Sequence, residues 1–120
     1  MKKILLLESD RSIAVSVQDY LTPHGYKIMW LQTAEDAITA ADKGNFICVV
    51  AELALGAHSG IEFIHEFHSY TDFSNIPIIV FTSQHIQDPT TLKSLGVVEY
   101  LYKPQTSLQQ LLASINEHVK

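Results

Sequence analysis

Residues 3–12 read Lys3-Ile4-Leu5-Leu6-Leu7-Glu8-Ser9-Asp10-Arg11-Ser12. The four-residue apolar run has the length and continuity of a strand buried on both faces. The stretch that follows it carries Ile13, Val17, Tyr20 and Leu21 at helical spacing, with Asp10 or Ser12 placed to cap it and Pro23 and Gly25 to end it. A doubly buried strand that runs straight into an amphipathic helix is the opening unit of a parallel α/β sheet. The turn between them contains no glycine. A dinucleotide fingerprint or a phosphate-cradling P-loop needs glycine there so that backbone can approach phosphate, so both readings fail, and with them a flavin- or nucleotide-binding module. The turn offers carboxylates instead.

The same unit recurs along the chain. Tyr26–Leu31 reads as a second strand, and its Lys27 and Trp30 suit a sheet edge. Thr33 with Asp36 predicts a capping box for a helix through Lys43, stopped by Gly44. Phe46–Leu53 is the predicted third strand; a loop with Gly56, Ser59 and Gly60 leads to a helix over Ile61–Tyr70. Ile76–Thr82 is the fourth strand. Asp88-Pro89 opens a helix with Leu92 and Leu95 that Gly96 closes. Val97–Tyr102 is the fifth strand, Lys103-Pro104 a turn, and Ser107–Val119 the last helix. Five strands alternating with five helices predict one domain over residues 1–120, a doubly wound α/β fold with a five-stranded parallel sheet and right-handed crossovers. In such sheets the functional crevice lies at the carboxyl ends of the strands. The residues there are Glu8-Ser9-Asp10, Glu52, Thr82-Ser83 and Lys103-Pro104.

Composition narrows the function class. A formal charge of −5, with only eight Lys and Arg, argues against a nucleic-acid surface. The single cysteine, Cys48, excludes an internal disulfide, and no zinc-ligand spacing occurs. Glu8 and Asp10 cut the N-terminal apolar run to four residues, short of a secretory signal, and nothing approaches the roughly 20 apolar residues of a membrane span. A cytoplasmic domain is the expectation. At 120 residues no room is expected for a DNA-binding output domain.

ILLLESD at the first strand, VVAELALGAHSG at the third, IPIIVFTS at the fourth and EYLYKP at the fifth together make the chain resemble the response-regulator receiver family over essentially its whole length. The resemblance implies a (βα)5 flavodoxin-like fold with strand order 2-1-3-4-5 and a role in two-component signal transduction. In that family an acidic pair after strand one holds magnesium, an aspartate ending strand three accepts a phosphoryl group, and a hydroxyl residue and a lysine contact that group. Carried over, the acidic pair falls on Glu8 and Ser9, the acceptor on Glu52, the hydroxyl on Thr82, the lysine on Lys103 and the aromatic switch of strand five on Tyr100. Two of these positions depart from the pattern: Ser9 is not acidic, and Glu52 is not aspartate. Asp10 stands beside Ser9 but starts the helix, although a register shift of one would bring it into the pair. Gly56 also replaces a usual proline.

Magnesium usually takes one or two carboxylates, so the loss of one at Ser9 weakens the site without abolishing it. Like charges about 4 Å apart repel by ~4 kcal/mol at an effective dielectric of 20. Three clustered carboxylates therefore require a metal, whereas two beside Lys103 nearly balance without one. Glu52 has three readings. Its longer arm could bond Thr82 and Lys103 and imitate the phosphorylated state with a single charge. It could simply neutralise Lys103, since breaking a buried pair costs ~3–5 kcal/mol. Or it could still accept phosphate, which its misplaced carboxylate disfavours. The expectation is a non-enzymatic, atypical receiver acting through protein contacts, without catalytic residues or a cofactor. The alternative is a phosphorelay receiver taking phosphate from a histidine kinase with Mg²⁺. Expected partners are a histidine kinase or an output protein, with helix four, strand five and helix five as the partner or homodimer face.

Other candidates carry less. His65 and His68 share a helix near His58 and Glu62 and invite a metal reading, but no ligand set completes it and a solvated face is the simpler account. His24, His85 and His118 read as isolated, Cys48 as core, and no hydrolase triad follows from the residue order.

Overall fold

The computed structural model describes residues 2–56 and 58–119. Its strands are β1 (Lys2–Leu7), β2 (Tyr26–Leu31), β3 (Cys48–Ala51), β4 (Ala54–Leu55), β5 (His58–Ser59), β6 (Ile78–Thr82) and β7 (Val97–Tyr102). Its α-helices are α1 (Arg11–Leu21), α2 (Ala34–Lys43), α3 (Gly60–Ser69) and α4 (Leu108–His118). Five strands form one parallel sheet in the order β2-β1-β3-β6-β7, the predicted topology. The strand carrying Lys27 and Trp30 is indeed at an edge.

Successive residues of each central strand point to opposite faces, so the continuous apolar runs supply two cores. Leu5, Leu7, Val49, Ala51, Ile78 and Val80 pack with α2 and α3 through Ala37, Ala41, Phe63, Ile64 and Phe67. Ile4, Leu6, Cys48, Val50, Ile79 and Phe81 pack with α1 and α4 through Ala14, Val17, Leu21, Leu111, Leu112 and Ile115. Cys48 is core, and burial pushes its thiol up to about 12. The helix starts follow the capping chemistry. Asp10 accepts from the amides of Ser12 and Ile13, Thr33 from Asp36, Ser59 from Ile61, and Ser107 forms a complete capping box with Gln110.

Two elements differ from expectation. The predicted fourth helix is a 3₁₀-helix, Pro89–Leu95. Thr90 and Thr91 turn their hydroxyls onto Asp88, and Ser94 turns its own onto the Thr91 carbonyl. Such local bonds compete with the α-helical ladder, and only seven residues separate the Asp88 cap from Gly96. The predicted loop after β3 contains a two-stranded antiparallel hairpin, in which Ala54 pairs with Ser59 and Leu55 with His58. Gly56 in its turn has φ of +72°, which the ring of the proline implied by the resemblance could not adopt.

Candidate functional site

The sheet ladder itself assembles the site. Leu7 pairs with Ala51 and Thr82 with Tyr102, so Glu8, Glu52 and Lys103 each stand one residue beyond a strand end. The ladder continues through both acids: the Glu8 amide donates to the Leu31 carbonyl at 3.0 Å, and the Glu52 amide to the Leu7 carbonyl at 2.9 Å. Glu8, Glu52 and Thr82 are buried, at 2%, 3% and 0% exposure.

Lys103 Nζ lies between the acids, 2.5 Å from Glu8 Oε1 and 2.8 Å from Glu52 Oε1. It also sits 5.5 Å from the centre of the Phe81 ring, which gives the ammonium an apolar floor. Five donors converge on Glu52. Oε1 accepts from Lys103, from the Ser83 amide at 3.0 Å and from the Ser83 hydroxyl at 3.1 Å. Oε2 accepts from the Thr82 hydroxyl and, at 3.0 Å, from the Ala54 amide. A carboxylate has about four lone-pair sites, so Glu52 is saturated. Burial pushes its carboxyl up, but Lys103, Thr82 and the amides of Ala54 and Ser83 outweigh this and hold it at about 2, below the ordinary 4.5.

Glu8 Oε2 accepts the Asp10 amide at 3.0 Å, and the Trp30 indole donates to the Glu8 carbonyl at 2.7 Å. Ser9 is exposed and its hydroxyl donates to the Ala54 carbonyl at 3.5 Å. Asp10 is committed to the α1 cap, so the register that keeps it out of the acidic pair is the one observed. A magnesium ion needs octahedral oxygen ligands at about 2.0–2.1 Å. Here the place between the two acids is filled by an ammonium and every Glu52 lone pair is engaged. This arrangement does not fit the ion.

Tyr100 is half-buried, and its hydroxyl donates to the Gln84 carbonyl at 3.0 Å while accepting the Ile86 amide at 2.9 Å. The Gln84 amide in turn donates to Thr82 Oγ1 at 3.0 Å. A continuous path therefore runs from Glu52 through Thr82 and Gln84 to Tyr100. Sequence reasoning placed Ser83 at the strand end but missed its two bonds to Glu52; the dipeptide Thr82-Ser83 was the only signal. The roles of Ala54 and Phe81 had none.

The histidines fall elsewhere. His65 is exposed and His68 packs beside Gly96. The His58 side chain lies outside the described set. The three histidines read as isolated are not: His24 packs against Tyr20, His85 meets Tyr102 edge-on, and His118 Nε2 lies 3.4 Å from Glu99 Oε1. Tyr20 lies four residues before His24 along continuous helical chain, whereas the neighbours of His85 and His118 come from β7, which spacing along the sequence does not show.

Comparison with known proteins agrees with this architecture. The family description "Response regulator receiver domain" matches residues 4–116. The regulatory protein VirG of Agrobacterium tumefaciens is 26% identical over 117 residues, covering 96% of this chain and 42% of VirG. The uncharacterised transcriptional regulatory protein YkoG of Bacillus subtilis is 30% identical over 113 residues, covering 93% of this chain and 48% of YkoG. The chain thus spans about half the length of the curated relatives it matches. Among solved structures, a CheY-like receiver domain protein from Methanospirillum hungatei superposes with a TM-score of 0.90 at 22% identity, over 99% of this chain and 94% of that one. The receiver domain of sensor histidine kinase PA1611 from Pseudomonas aeruginosa, which holds magnesium in its active-site cleft, gives 0.86 at 19% identity, over 98% and 97%. These structural likenesses concern the fold. With the family match spanning nearly the whole sequence, the chain belongs to the response regulator receiver domain family.

Proposed function

We propose that this receiver signals through protein–protein contact without accepting a phosphoryl group, its acceptor position having become a metal-free ion-pair site. The observation that carries this reading is the saturation of Glu52 by five donors. A phosphoryl acceptor must offer a lone pair in near-attack geometry, and none is free. Glu52 also takes directly the two partners, Thr82 and Lys103, that the family resemblance assigns to a phosphoryl group. Its single charge replaces the roughly two of an acyl phosphate. Neutralising Lys103 and holding Thr82 are one act in this geometry, and both fix the Thr82–Gln84–Tyr100 path in one state. The partner is an output segment or an output protein, by analogy with relatives named as regulatory proteins and about twice as long.

Amide NMR titration with Mg²⁺, then with beryllofluoride as a phosphoryl mimic, tests this. The wild-type domain is expected to stay silent while the Ser9→Asp/Glu52→Asp double variant shifts near residues 52, 82 and 100. Saturable wild-type shifts at those residues would instead establish a conventional Mg²⁺-dependent phosphorelay receiver fed by a histidine kinase.

A further inference from the structure

The groove between α2 and α3 has no part in the Glu52 network. It encloses about 420 Å³ and is lined by Ala34, Glu35, Ile38, Glu62, Phe63 and Glu66, with Thr33 and Thr39 at its margin. Its floor is apolar: Phe63 is buried, and Ala34 and Ile38 are half-buried against the same core. Its walls are the exposed carboxylates of Glu35, Glu62 and Glu66. Among the described residues none of the three is ion-paired; the ion pairs lie at Lys103, and His118 contacts Glu99. Glu66 Oε2 has only the Tyr70 hydroxyl, at 3.0 Å. The contrast with neighbouring grooves is direct. The one on the other side of α2 carries Lys3 and Lys43, the one under the end of α4 carries Lys2, and the one between α1 and α4 carries Lys103. The α2–α3 groove carries no cation at all.

We infer that the α2–α3 groove is a docking site for a basic, amphipathic segment of a partner protein, which sets an apolar side chain on Ile38 and Phe63 and its Lys or Arg residues against Glu35, Glu62 and Glu66. Charge complementarity selects this occupant. Three unpaired carboxylates repel an acidic or purely apolar guest, including a second copy of this acidic face, and they steer a cationic one. The apolar floor supplies the desolvated anchor that a polycation alone would not use. The inference does not depend on the state of Glu52.

The test uses the full chain, amide NMR and three probes: an 18-residue Lys/Leu amphipathic helix, its Glu/Leu counterpart, and spermine. The Lys/Leu peptide is expected to give saturable shifts at Ile38, Thr39, Phe63 and Glu66, with the Glu/Leu peptide silent. Glu62→Gln/Glu66→Gln, at two exposed positions, is expected to weaken binding by about tenfold while leaving the spectrum of the free domain folded. Thr39→Trp, which fills the groove margin without changing charge, is expected to weaken it as well. Shifts scattered over the acidic surface, affinity unchanged in both variants, or spermine binding the groove as tightly as the peptide would each overturn the inference, the last in favour of a simple polycation site.

Discussion

Lys103 and Glu8, 95 positions apart in the chain, meet at 2.5 Å, and the same ammonium reaches Glu52 at 2.8 Å. One cation thus neutralises parts of two buried acids contributed by the ends of two adjacent strands. The site is held by three separate elements of the sheet, so its charge balance is also a constraint on the fold.

Replacing Lys103 by Met leaves two buried carboxylates facing one another without a cation. The expected loss is about 3–5 kcal/mol in unfolding free energy, read from urea denaturation at neutral pH. Adding Glu52→Gln to this variant is expected to restore a large part of the loss, because it removes one of the stranded charges. Equal and additive losses for the two changes would refute the coupling.

Stability should fall with acid through Glu52. Its carboxyl is held at about 2 when folded and titrates near 4.5 when free, so the unfolded chain takes up the proton first as pH drops. The contribution is complete above about pH 5 and is lost between there and pH 2 as the folded value is approached. It amounts to roughly 3 kcal/mol. Urea melts at pH 7, 4 and 3 measure it, and Glu52→Gln is expected to flatten the slope relative to wild type. An unchanged slope in that variant would assign the acid sensitivity to other carboxylates.

Tyr100→Phe removes one donor and one acceptor at the loop after β6. Each bond contributes about 1 kcal/mol, and the Ile86 amide loses its acceptor. Hydrogen exchange at Ile86 is expected to quicken by about fivefold or more, while amides of β1 and β3 keep their rates. Thr82→Val should quicken exchange at Gln84 and reach Ile86 more weakly, as a serial path requires. Equal effects at both amides would mean that the loop moves as one body.

Gly60 is fixed by proximity rather than by φ. A Cβ there would lie 2.3 Å from the Glu52 carbonyl oxygen and 2.8 Å from Leu53 Cα, both backbone atoms that cannot swing aside. Gly60→Ala is expected to cost about 3 kcal/mol or more and to shift the Glu52 and Ala54 amides, whereas Gly44→Ala meets only the ring of Phe46 and should cost less. Thermal melts of the two variants compare them directly.

The sheet order and the site were readable because the controlling signals are local. An apolar run such as Ile4–Leu7 can be buried only within a sheet covered on both faces, and its polar successor must then emerge at a strand end. That logic places Glu8, Glu52, Thr82 and Lys103 together before any coordinates are known. The 3₁₀ segment was not readable, because Asp88-Pro89 opens either helix type and the outcome turned on threonine hydroxyls competing for carbonyls. The hairpin at Ala54–Ser59 was hidden for a different reason. Two-residue strands carry no periodicity, and Gly56 registered only as a loop glycine in place of a usual proline. Ser83 was placed at the strand end but given no role, because a serine there is ordinary and only the reach of Glu52 across from β3 makes it a partner.

The 3₁₀ segment has a mechanical side. At about 2.0 Å of rise per residue, its seven residues span roughly 14 Å, where an α-helix of the same length would span roughly 10–11 Å. Rewinding Pro89–Leu95 into α form would therefore shorten it by about 3–4 Å and draw in whatever lies at its ends. One end is fastened to β7 through Gly96; the other leads back to Ile86, whose amide is moored to the Tyr100 hydroxyl. The length of the segment and the position of the Tyr100 hydroxyl are therefore coupled through Ile86.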